Sequence, residues 1–345
     1  MRILVVNAGS SSLKVDLLDG GRHIGAFDHL PDPPPTVDAV GHRIVHGGER
    51  FVAPTIVDDT VERQLRALTE LAPLHQPLSL RALAAAREAL PGVPHVACFD
   101  TAFHANLPVA AATFALPADW RERYRLRRFG FHGLSHSWAY QRAISLASPA
   151  GRLVSCHLGA GASVTAIRDG RSVDTTMGFT PLDGIVMATR SGSIDPGLVT
   201  WLQEHHGISA HEVADALENR SGLLGLAGTA DMRDVLARDD AEARLAFDVY
   251  VLRLAAAVAA MTVSLDGLDV LVFTGGVGEN AAEVRSATSR RLRHLGVAVE
   301  EDRNRAVTPD DSISPSSAEV TVLVIRSRED LAIAAGVRQA LSVGA

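Results

Sequence analysis

Apolar and polar residues alternate in short blocks along the chain, in a pattern typical of mixed α and β structure. Four apolar residues at positions 3–6 predict a buried strand, and positions 13–18 predict a second strand after a turn of small residues. The other predicted strands cover positions 94–99, 153–156, 163–168, 270–273 and 320–325, and the predicted helices cover positions 58–71, 78–90, 142–147, 241–265 and 329–341. This alternation predicts an α/β fold with helices packed on mixed sheets.

The strand–turn–strand pattern at the start of the chain occurs again about 150 residues later. Gly9 in the first turn corresponds to Gly159 in the second, and both second strands end in Asp-Gly, at positions 19–20 and 169–170. The repetition predicts a duplicated domain in which one hairpin loop from each half faces a shared cleft. The predicted domains are residues 1–148 and 149–329, with a terminal helix at about 330–345 packed back on the first domain.

The composition limits the class of protein. With 345 residues, 47% of them hydrophobic and 21% charged, the chain has room for two cores and is typical of a globular protein. A net charge of −7 argues against nucleic acid as the main partner. Cys98 and Cys156 are far apart and predict reduced core thiols. Because the longest membrane-like run, residues 254–265, is too short to span a bilayer and the N-terminus lacks a secretory pattern, the sequence predicts a cytoplasmic protein without membrane contact.

Two glycine-rich loops have the composition of phosphate-binding sites. In NAGSSS, residues 7–12, Gly9 lets the backbone approach a ligand, and the serines and backbone amides can surround phosphate oxygens. Lys14 follows and is the only lysine in the chain, although an ordinary hairpin with a chance lysine also explains the segment. The loop TGGVGEN, residues 274–280, follows the most apolar strand and predicts a helix that begins near Ala281. Neither loop matches a P-loop or a complete dinucleotide-binding fingerprint.

Several other polar residues lie beside apolar runs and predicted strands, where they indicate a functional site rather than a core. Arg43 stands between an apolar run and a glycine turn, His75 between two prolines, and Asp100 directly after a predicted strand. His132 and His136 have the spacing of a zinc pair on a helix. A zinc site is disfavoured, because no third ligand of the usual kind is near and the glycine between the histidines weakens the helix.

Eleven short segments occur in the order NAGSSSLK, GHRIVHGG, APLHQP, FDTAFH, RFGFHGLSH, HLGAGAS, DTTMGFTPLDG, TRSGSIDP, SGLLG, DMRD and FTGGVGEN. This series resembles the acetate kinase family, which has the acetate and sugar kinase, Hsc70 and actin fold. The resemblance implies duplicated actin-like, ribonuclease H-like α/β domains, with mixed sheets flanked by helices around a central cleft. It also implies reversible, direct in-line transfer of the γ-phosphoryl group of ATP to acetate, which gives acetyl phosphate and ADP.

The resemblance also implies roles for individual residues. Arg43 and Arg190 would bind the carboxylate and the transferred phosphoryl group, and His132 would donate to its oxygens with His75 assisting. The implied Mg²⁺ ligands, with Mn²⁺ as an alternative metal, are Asn7, Asp100 and Glu329. The implied phosphate loop contains Asn7, Ser10 and Ser12, and the implied acyl slot contains Val45, Leu74, Phe131 and Pro181. The residues implied for the nucleotide site are Lys14, His157, Gly159, Gly161, Asp231, Arg233, Gly276, Gly278 and Asn280. The resemblance further implies a homodimer.

Three segments depart from the family pattern and leave the phosphoryl donor open. Ala160 replaces the usual Asn, Ala188 replaces the usual Gly, and residues 326–328 read Arg-Ser-Arg instead of Pro-Thr-Asn. Within carboxylate kinases, propionate or another short acyl chain is the alternative substrate. A protein of the same fold that binds nucleotide without turnover, as a sensor or scaffold, is the alternative of another class. The retained arginines, His132 and both acids favour the enzyme.

Overall fold

A computed structural model describes residues 1–9, 13–73, 75–147 and 150–343. Its contacts divide the chain into two compact units. The first consists of Met1–Ala105, Phe129–Trp138 and Arg328–Ala345, and the second consists of Asn106–Arg128 and Ala139–Ser327. The sequence-based boundary after residue 148 is simpler than this division, because local patterns do not report the long-range contacts that assign a segment to one core.

Most predicted elements are present, with ends shifted by a few residues. The helix predicted at 142–147 is the end of a longer helix that begins at Gly133 and stops at Ile144. The strands are β1 (Arg2–Ala8), β2 (Leu13–Asp19), β3 (Arg22–Phe27), β4 (Ala39–Ile44), β5 (Thr55–Ile56), β6 (His95–Phe99), β7 (Arg152–Leu158), β8 (Ala162–Arg168), β9 (Arg171–Thr175), β10 (Val270–Thr274), β11 (Asp311–Ser312) and β12 (Thr321–Val324). The helices are α1 (Asp59–Ala67), α2 (Gln76–Ala89), α3 (Val109–Ala112), α4 (Ala118–Tyr124), α5 (Gly133–Ile144), α6 (Pro196–His206), α7 (Ala210–Asn219), α8 (Gly222–Ala227), α9 (Met232–Leu236), α10 (Ala241–Leu265), α11 (Gly275–Asn280), α12 (Ala282–Arg291), α13 (Glu301–Ala306) and α14 (Glu329–Val343). Short 3₁₀ helices lie at Leu68–Leu71, Ala102–His104 and Arg293–Leu295.

The two units contain sheets of the same topology. The strand order is β3-β2-β1-β4-β6-β5 in the first and β9-β8-β7-β10-β12-β11 in the second. In each sheet the three central strands are parallel and the outer strands are antiparallel. Even the register shift between Leu17 and Leu18 has a counterpart between Ala166 and Ile167. The predicted α/β fold of duplicated domains with mixed sheets is confirmed.

Helix α14, from the end of the chain, packs on the central strands of the first sheet. Its residues Ile333 and Val337 share a buried cluster with Ile3 and Cys98. A Cβ atom at Gly41 would lie 2.6 Å from Ile333 Cγ2 and 2.7 Å from Val337 Cγ2. Glycine at this position of β4 therefore allows the helix to approach the sheet closely.

Helix α10 forms much of the core of the second unit. Tyr250, Leu254 and Val258 are buried on one face, and the helix packs against β7, β8 and β9. Among the described residues, α10 is the one helix long and apolar enough to cross a membrane by length and composition. Its packing on the sheet is that of a core helix.

The glycine-rich segment after β10 is confirmed in one respect and differs in another. The helix predicted near Ala281 is present as α12, which begins at Ala282, but the expected turn before it is itself a short helix, α11, which begins at Gly275. Gly275 has a φ of +80°, where its backbone passes the Leu158 carbonyl closely. The Gly275 N–H donates to Glu279 Oε1 at 3.2 Å, and the buried Arg285 donates to the Glu279 carbonyl at 2.9 Å. These side-chain bonds satisfy both ends of the short helix, which explains why it forms despite its glycines.

Candidate active site

Arg43 and Asp100 form a buried ion pair at the carboxyl edge of the first sheet. Arg43 lies in β4 and Asp100 directly follows the parallel neighbour β6, so both reach the same edge. Arg43 Nε donates to both Asp100 oxygens at 3.1 Å, and Nη2 donates to Oδ2 at 2.6 Å. This two-pronged geometry holds the guanidinium plane in one orientation.

Asn7 and Glu329 complete the same cluster. Asn7 lies near the end of β1, and Glu329 is the first residue of α14. Asn7 Nδ2 donates to Glu329 Oε2 at 2.8 Å, and Arg43 Nη1 donates to Asn7 Oδ1 at 3.4 Å. Arg43 Nε lies 3.8 Å from Glu329 Oε2. The structure thus brings together four predicted site residues that are far apart in the sequence.

The charges of this cluster are held in a buried environment. Burial lowers the pKa of Arg43, but Asp100 and Glu329 more than offset it, and the pKa is raised overall. Burial raises the pKa of the Asp100 carboxyl, Arg43 opposes that effect, and Glu329 adds to it. Arg43 therefore stays cationic. Two carboxyl groups share one guanidinium, so the cluster carries one excess negative charge when both are ionised.

His132 lies directly before α5 with a left-handed backbone, at a φ of 56°. The next residue, Gly133, donates its N–H to the Asp100 carbonyl at 2.9 Å, and a Cβ atom at Gly133 would overlap that carbonyl. The glycine therefore places His132 beside the turn that carries Asp100, and α5 starts there. A non-glycine residue held in this conformation is uncommon and is frequent at functional sites. Among the described residues, no cluster of three His, Cys, Asp or Glu side chains suits a metal.

The predicted acyl-slot residues belong to both units. Val45 and Phe131 are buried in the first unit, where the Phe131 carbonyl accepts from His104 Nε2 at 2.9 Å. His75 is half-buried just before α2. Pro181 is buried in the second unit. Leu74, like Ser10 and Ser12 of the phosphate loop, lies outside the described residues.

In the second unit, the Pro181 carbonyl and Glu218 are among the partners that position the Arg190 guanidinium. Its Nη1 donates to the Pro181 carbonyl at 3.1 Å, and its Nε lies 3.2 Å from Glu218 Oε2. Burial raises the pKa of the Glu218 carboxyl, and Arg190 opposes that effect. Sequence reasoning missed Glu218, since nothing in the pattern around it differs from an ordinary helix end.

The predicted glycines of the nucleotide site lie in two loops of the second unit. Gly159 donates its N–H to the Gly161 carbonyl at 3.0 Å, which closes the hairpin between β7 and β8 after the half-buried His157. The exposed Ala160 accepts from the Ala188 N–H at 3.2 Å, so the two residues that depart from the family pattern contact each other.

In the second loop, Gly278 is buried in α11, whereas Gly276 and Asn280 are exposed. Asn280 Nδ2 donates to the Gly276 carbonyl at 2.8 Å. Sequence reasoning selected Gly276, around which a Cβ atom would meet nothing within 4 Å. It missed Gly275, which has a positive φ. The sequence signal for this residue is its position directly after the strand β10.

Three further predicted nucleotide residues are more exposed. Lys14 is exposed and lies opposite Asn7 in the β1–β2 register. Asp231 caps α9 by accepting from the Arg233 N–H at 2.8 Å, and the Arg233 side chain, 88% exposed, pairs with it. Hydrogen bonds from Arg233 lower the pKa of Asp231. Their contacts with nucleotide stay predictions.

The comparisons with known proteins decide the family. Residues 28–335 match the model of the acetokinase family. The chain belongs to this family. The acetate kinase of Leifsonia xyli subsp. xyli is 43% identical to this family member over an alignment 394 positions long, gaps included, with 99% of each chain covered.

Solved structures of the family have the same fold. The acetate kinase of Porphyromonas gingivalis superposes with a TM-score of 0.88 at 32% identity and covers 99% of both chains. A propionate kinase from Francisella tularensis superposes with a TM-score of 0.89 at 33% identity, over 97% of this chain and 98% of that chain. The resemblance predicted from the eleven segments is confirmed.

Proposed function

We propose that this acetokinase transfers the γ-phosphoryl group of ATP reversibly to acetate, giving acetyl phosphate and ADP. The observation that carries the proposal is the buried cluster of Arg43, Asp100, Asn7 and Glu329, which places a fixed cation beside oxygen ligands. Family membership supports a phosphotransferase that acts on a carboxylate.

The proposed reaction is a direct displacement at phosphorus. A carboxylate oxygen forms a bond to the γ-phosphorus while the bond from that phosphorus to the bridging oxygen breaks, and ADP leaves with the electron pair. The carboxylate is already ionised near neutral pH, so no base is needed. Catalysis then depends on positioning and on positive charge around the transferred group.

Each arginine has a partner that supports its proposed role. In the first unit, Asp100 holds the plane of Arg43, whose guanidinium would bind oxygens of the carboxylate or phosphoryl group. In the second unit, Glu218 and the Pro181 carbonyl hold Arg190 for the same purpose. His132, and His75 with it, would donate hydrogen bonds to the phosphoryl oxygens.

We propose that the first-unit cluster binds Mg²⁺, with Mn²⁺ as an alternative, on the chemistry of its side chains. Asn7, Asp100 and Glu329 supply hard amide and carboxylate oxygens, which these ions prefer, and Mg²⁺ commonly takes only one or two carboxylates and completes its shell with water and phosphate. The bound ion would neutralise charge on the phosphate groups of ATP. We propose these three residues as its ligands.

The remaining proposals follow from the family. The nucleotide would bind the second-unit loops that contain His157, Gly159, Gly161, Gly276, Gly278 and Asn280, together with Asp231 and Arg233, while Lys14 and the phosphate loop would contact its phosphate end. We also propose a cytoplasmic homodimer, which light scattering of the purified protein tests by its mass. Propionate is the second candidate substrate, since a structural neighbour is described as a propionate kinase.

A coupled assay with ATP, Mg²⁺ and acetate, propionate or butyrate tests the proposal. We expect turnover with at least one of these carboxylates. His132→Asn should lower kcat by about 10²–10³-fold, the usual cost of removing one transition-state donor, while Asn tolerates the left-handed backbone. Arg125→Asn is the matched control, because Arg125 has a φ of 51° on the surface and should keep normal kcat. Nucleotide binding without turnover would instead support the sensor or scaffold.

A further inference from the structure

The side chain of Gln76 connects the segment after Val45, a predicted acyl-slot residue, to the segment of His75, a predicted catalytic residue. Gln76 is fully buried at the start of α2. Its Oε1 accepts from the His46 N–H at 3.1 Å, and its Nε2 donates to the His46 carbonyl at 3.1 Å and to the Leu65 carbonyl at 3.4 Å. Because one amide binds both backbone polar groups of His46, it fixes the orientation of that residue as well as its distance.

The segment that Gln76 holds has already left the sheet. β4 ends at Ile44, and the chain turns through His46, Gly47 and Gly48. The Gly47 N–H donates to Thr101 Oγ1 at 3.0 Å, and the Gly48 N–H donates to His46 Nδ1 at 2.9 Å. Side chains therefore replace a neighbouring strand as partners of three successive amides, so their loss would let this segment move.

The His46 ring contacts Phe131, a residue of the predicted acyl slot. The ring is fully buried and packs edge-on against Phe131, with centroids 5.6 Å apart, and against Phe129 at 4.5 Å. Burial lowers the pKa of His46 to about 4, so the ring is neutral near neutral pH. Val45 directly precedes His46, and His75 directly precedes Gln76. Gln76 therefore bonds to the residue next to Val45, a predicted acyl-slot residue, and is itself next to His75, a predicted catalytic residue.

We propose that Gln76 is a positioning residue that fixes the spacing between the Val45–His46 segment and His75 and thereby sets the length of the acyl chain that the enzyme accepts. The inference rests on the proposed function. One methylene in an apolar pocket changes kcat/KM by about 10–200-fold, but only where the walls are held in place. Without the bonds to His46, the two segments can separate and a longer chain fits.

Gln76→Met tests the proposal, because methionine has a similar length but can make none of the three hydrogen bonds. The measurement is kcat and KM for acetate, propionate and butyrate at saturating ATP, together with KM for ATP. We expect the ratio of kcat/KM between acetate and propionate to fall by about fivefold or more. KM for ATP should stay within about twofold of wild type, since the side chain of Gln76 bonds to His46 and Leu65, neither of which is proposed to bind nucleotide.

Ser79→Ala is the matched control. Ser79 is buried in the same helix, and its hydroxyl has no hydrogen-bond partner among the described residues. Its removal changes a buried polar group of α2 without touching the bonds to His46. We expect unchanged acyl-chain preference and a melting temperature at or above that of wild type.

The outcomes separate the two proposals. An equal loss with acetate and propionate in folded Gln76→Met would mean that Gln76 only supports folding, and it would overturn the positioning role. If Gln76→Met does not fold, Gln76→Asn gives the answer, since it keeps the amide but shortens its reach. An unchanged acyl-chain ratio in Gln76→Asn then overturns the role. A wild-type protein inactive with all three carboxylates overturns the proposed function and this inference with it.

Discussion

At the scale of single residues, the Arg43–Asp100 pair of the proposed site also contributes to the stability of the folded protein. The Asp100 side chain is only 1% exposed, and Arg43 supplies its counter-charge. Arg43→Ala should therefore destabilise the protein by about 3–5 kcal/mol, because it leaves a buried carboxylate without a cation. Urea unfolding measures this cost. The variant lacking both side chains should be destabilised by less than the sum of the single changes, and strict additivity would contradict the pairing.

Ala160 is the residue that bears on the phosphoryl donor. The family pattern has Asn here, whose amide can donate toward nucleotide phosphates, whereas alanine cannot. Since a hydrogen bond to a charged group contributes about 1.5–3 kcal/mol, Ala160→Asn should lower KM for ATP by about tenfold and leave KM for the carboxylate unchanged. Steady-state kinetics with ATP and with inorganic pyrophosphate measure this effect. A pyrophosphate rate above the ATP rate would show that the loop serves another donor.

At the scale of elements, the contact between β4 and α14 depends on Gly41. A methyl group there would overlap Ile333 and Val337, so Gly41→Ala should destabilise by about 1–3 kcal/mol. It should also lower activity, because α14 begins with Glu329 of the proposed site. Gly92→Ala is the control, since a Cβ atom there meets nothing within 4 Å. Similar melting temperatures for the two variants would contradict the close packing of α14.

The turns that follow β4 and β6 make stability depend on pH. Burial lowers the pKa of His46 and of His104 to about 4 in the folded chain. The unfolded chain binds these protons near the usual pKa of about 6.5, so the stability is present above pH 6.5 and is lost as the pH falls toward 4. Each histidine should contribute a slope of about 1.4 kcal/mol per pH unit.

Guanidinium unfolding at neutral pH and at pH 5 measures this slope. His104→Gln should reduce it, since glutamine can still donate to the Phe131 carbonyl but does not titrate. An unfolding free energy that is equal at both pH values would show that these rings are not held neutral.

Local pattern explains which elements and site residues could be predicted. The hairpin around Gly9, its counterpart around Gly159 and the helix Ala241–Leu265 follow from hydrophobic spacing over a few residues. The bonds of Gln76 to His46 join residues 30 positions apart and depend on how α2 packs. Glu218 beside Arg190 is likewise a tertiary contact. Sequence alone locates the chemical groups, whereas their partners follow only from the packed chain.

At the scale of the whole molecule, the duplicated sheets present equivalent edges with different chemistry. The Asp100 N–H donates to the Ile44 carbonyl in the first sheet, and the Ile325 N–H donates to the Phe273 carbonyl in the second. Asp100 and Ile325 therefore occupy equivalent places, one an acid and the other a buried aliphatic residue. The two edges therefore share a backbone arrangement, and at this position the first has a carboxylate that pairs with Arg43 whereas the second has an apolar side chain.

The first unit is built from segments that are far apart in the sequence, and this affects when its core can form during synthesis on the ribosome. Met1–Ala105 is translated long before Ile333 and Val337, which cover its sheet. The second unit has all its segments before then. A chain that stops before α14 lacks both the covering helix and Glu329, so it leaves the apolar face of the first sheet exposed and the proposed site incomplete. The first core is thus complete only after α14 has been translated.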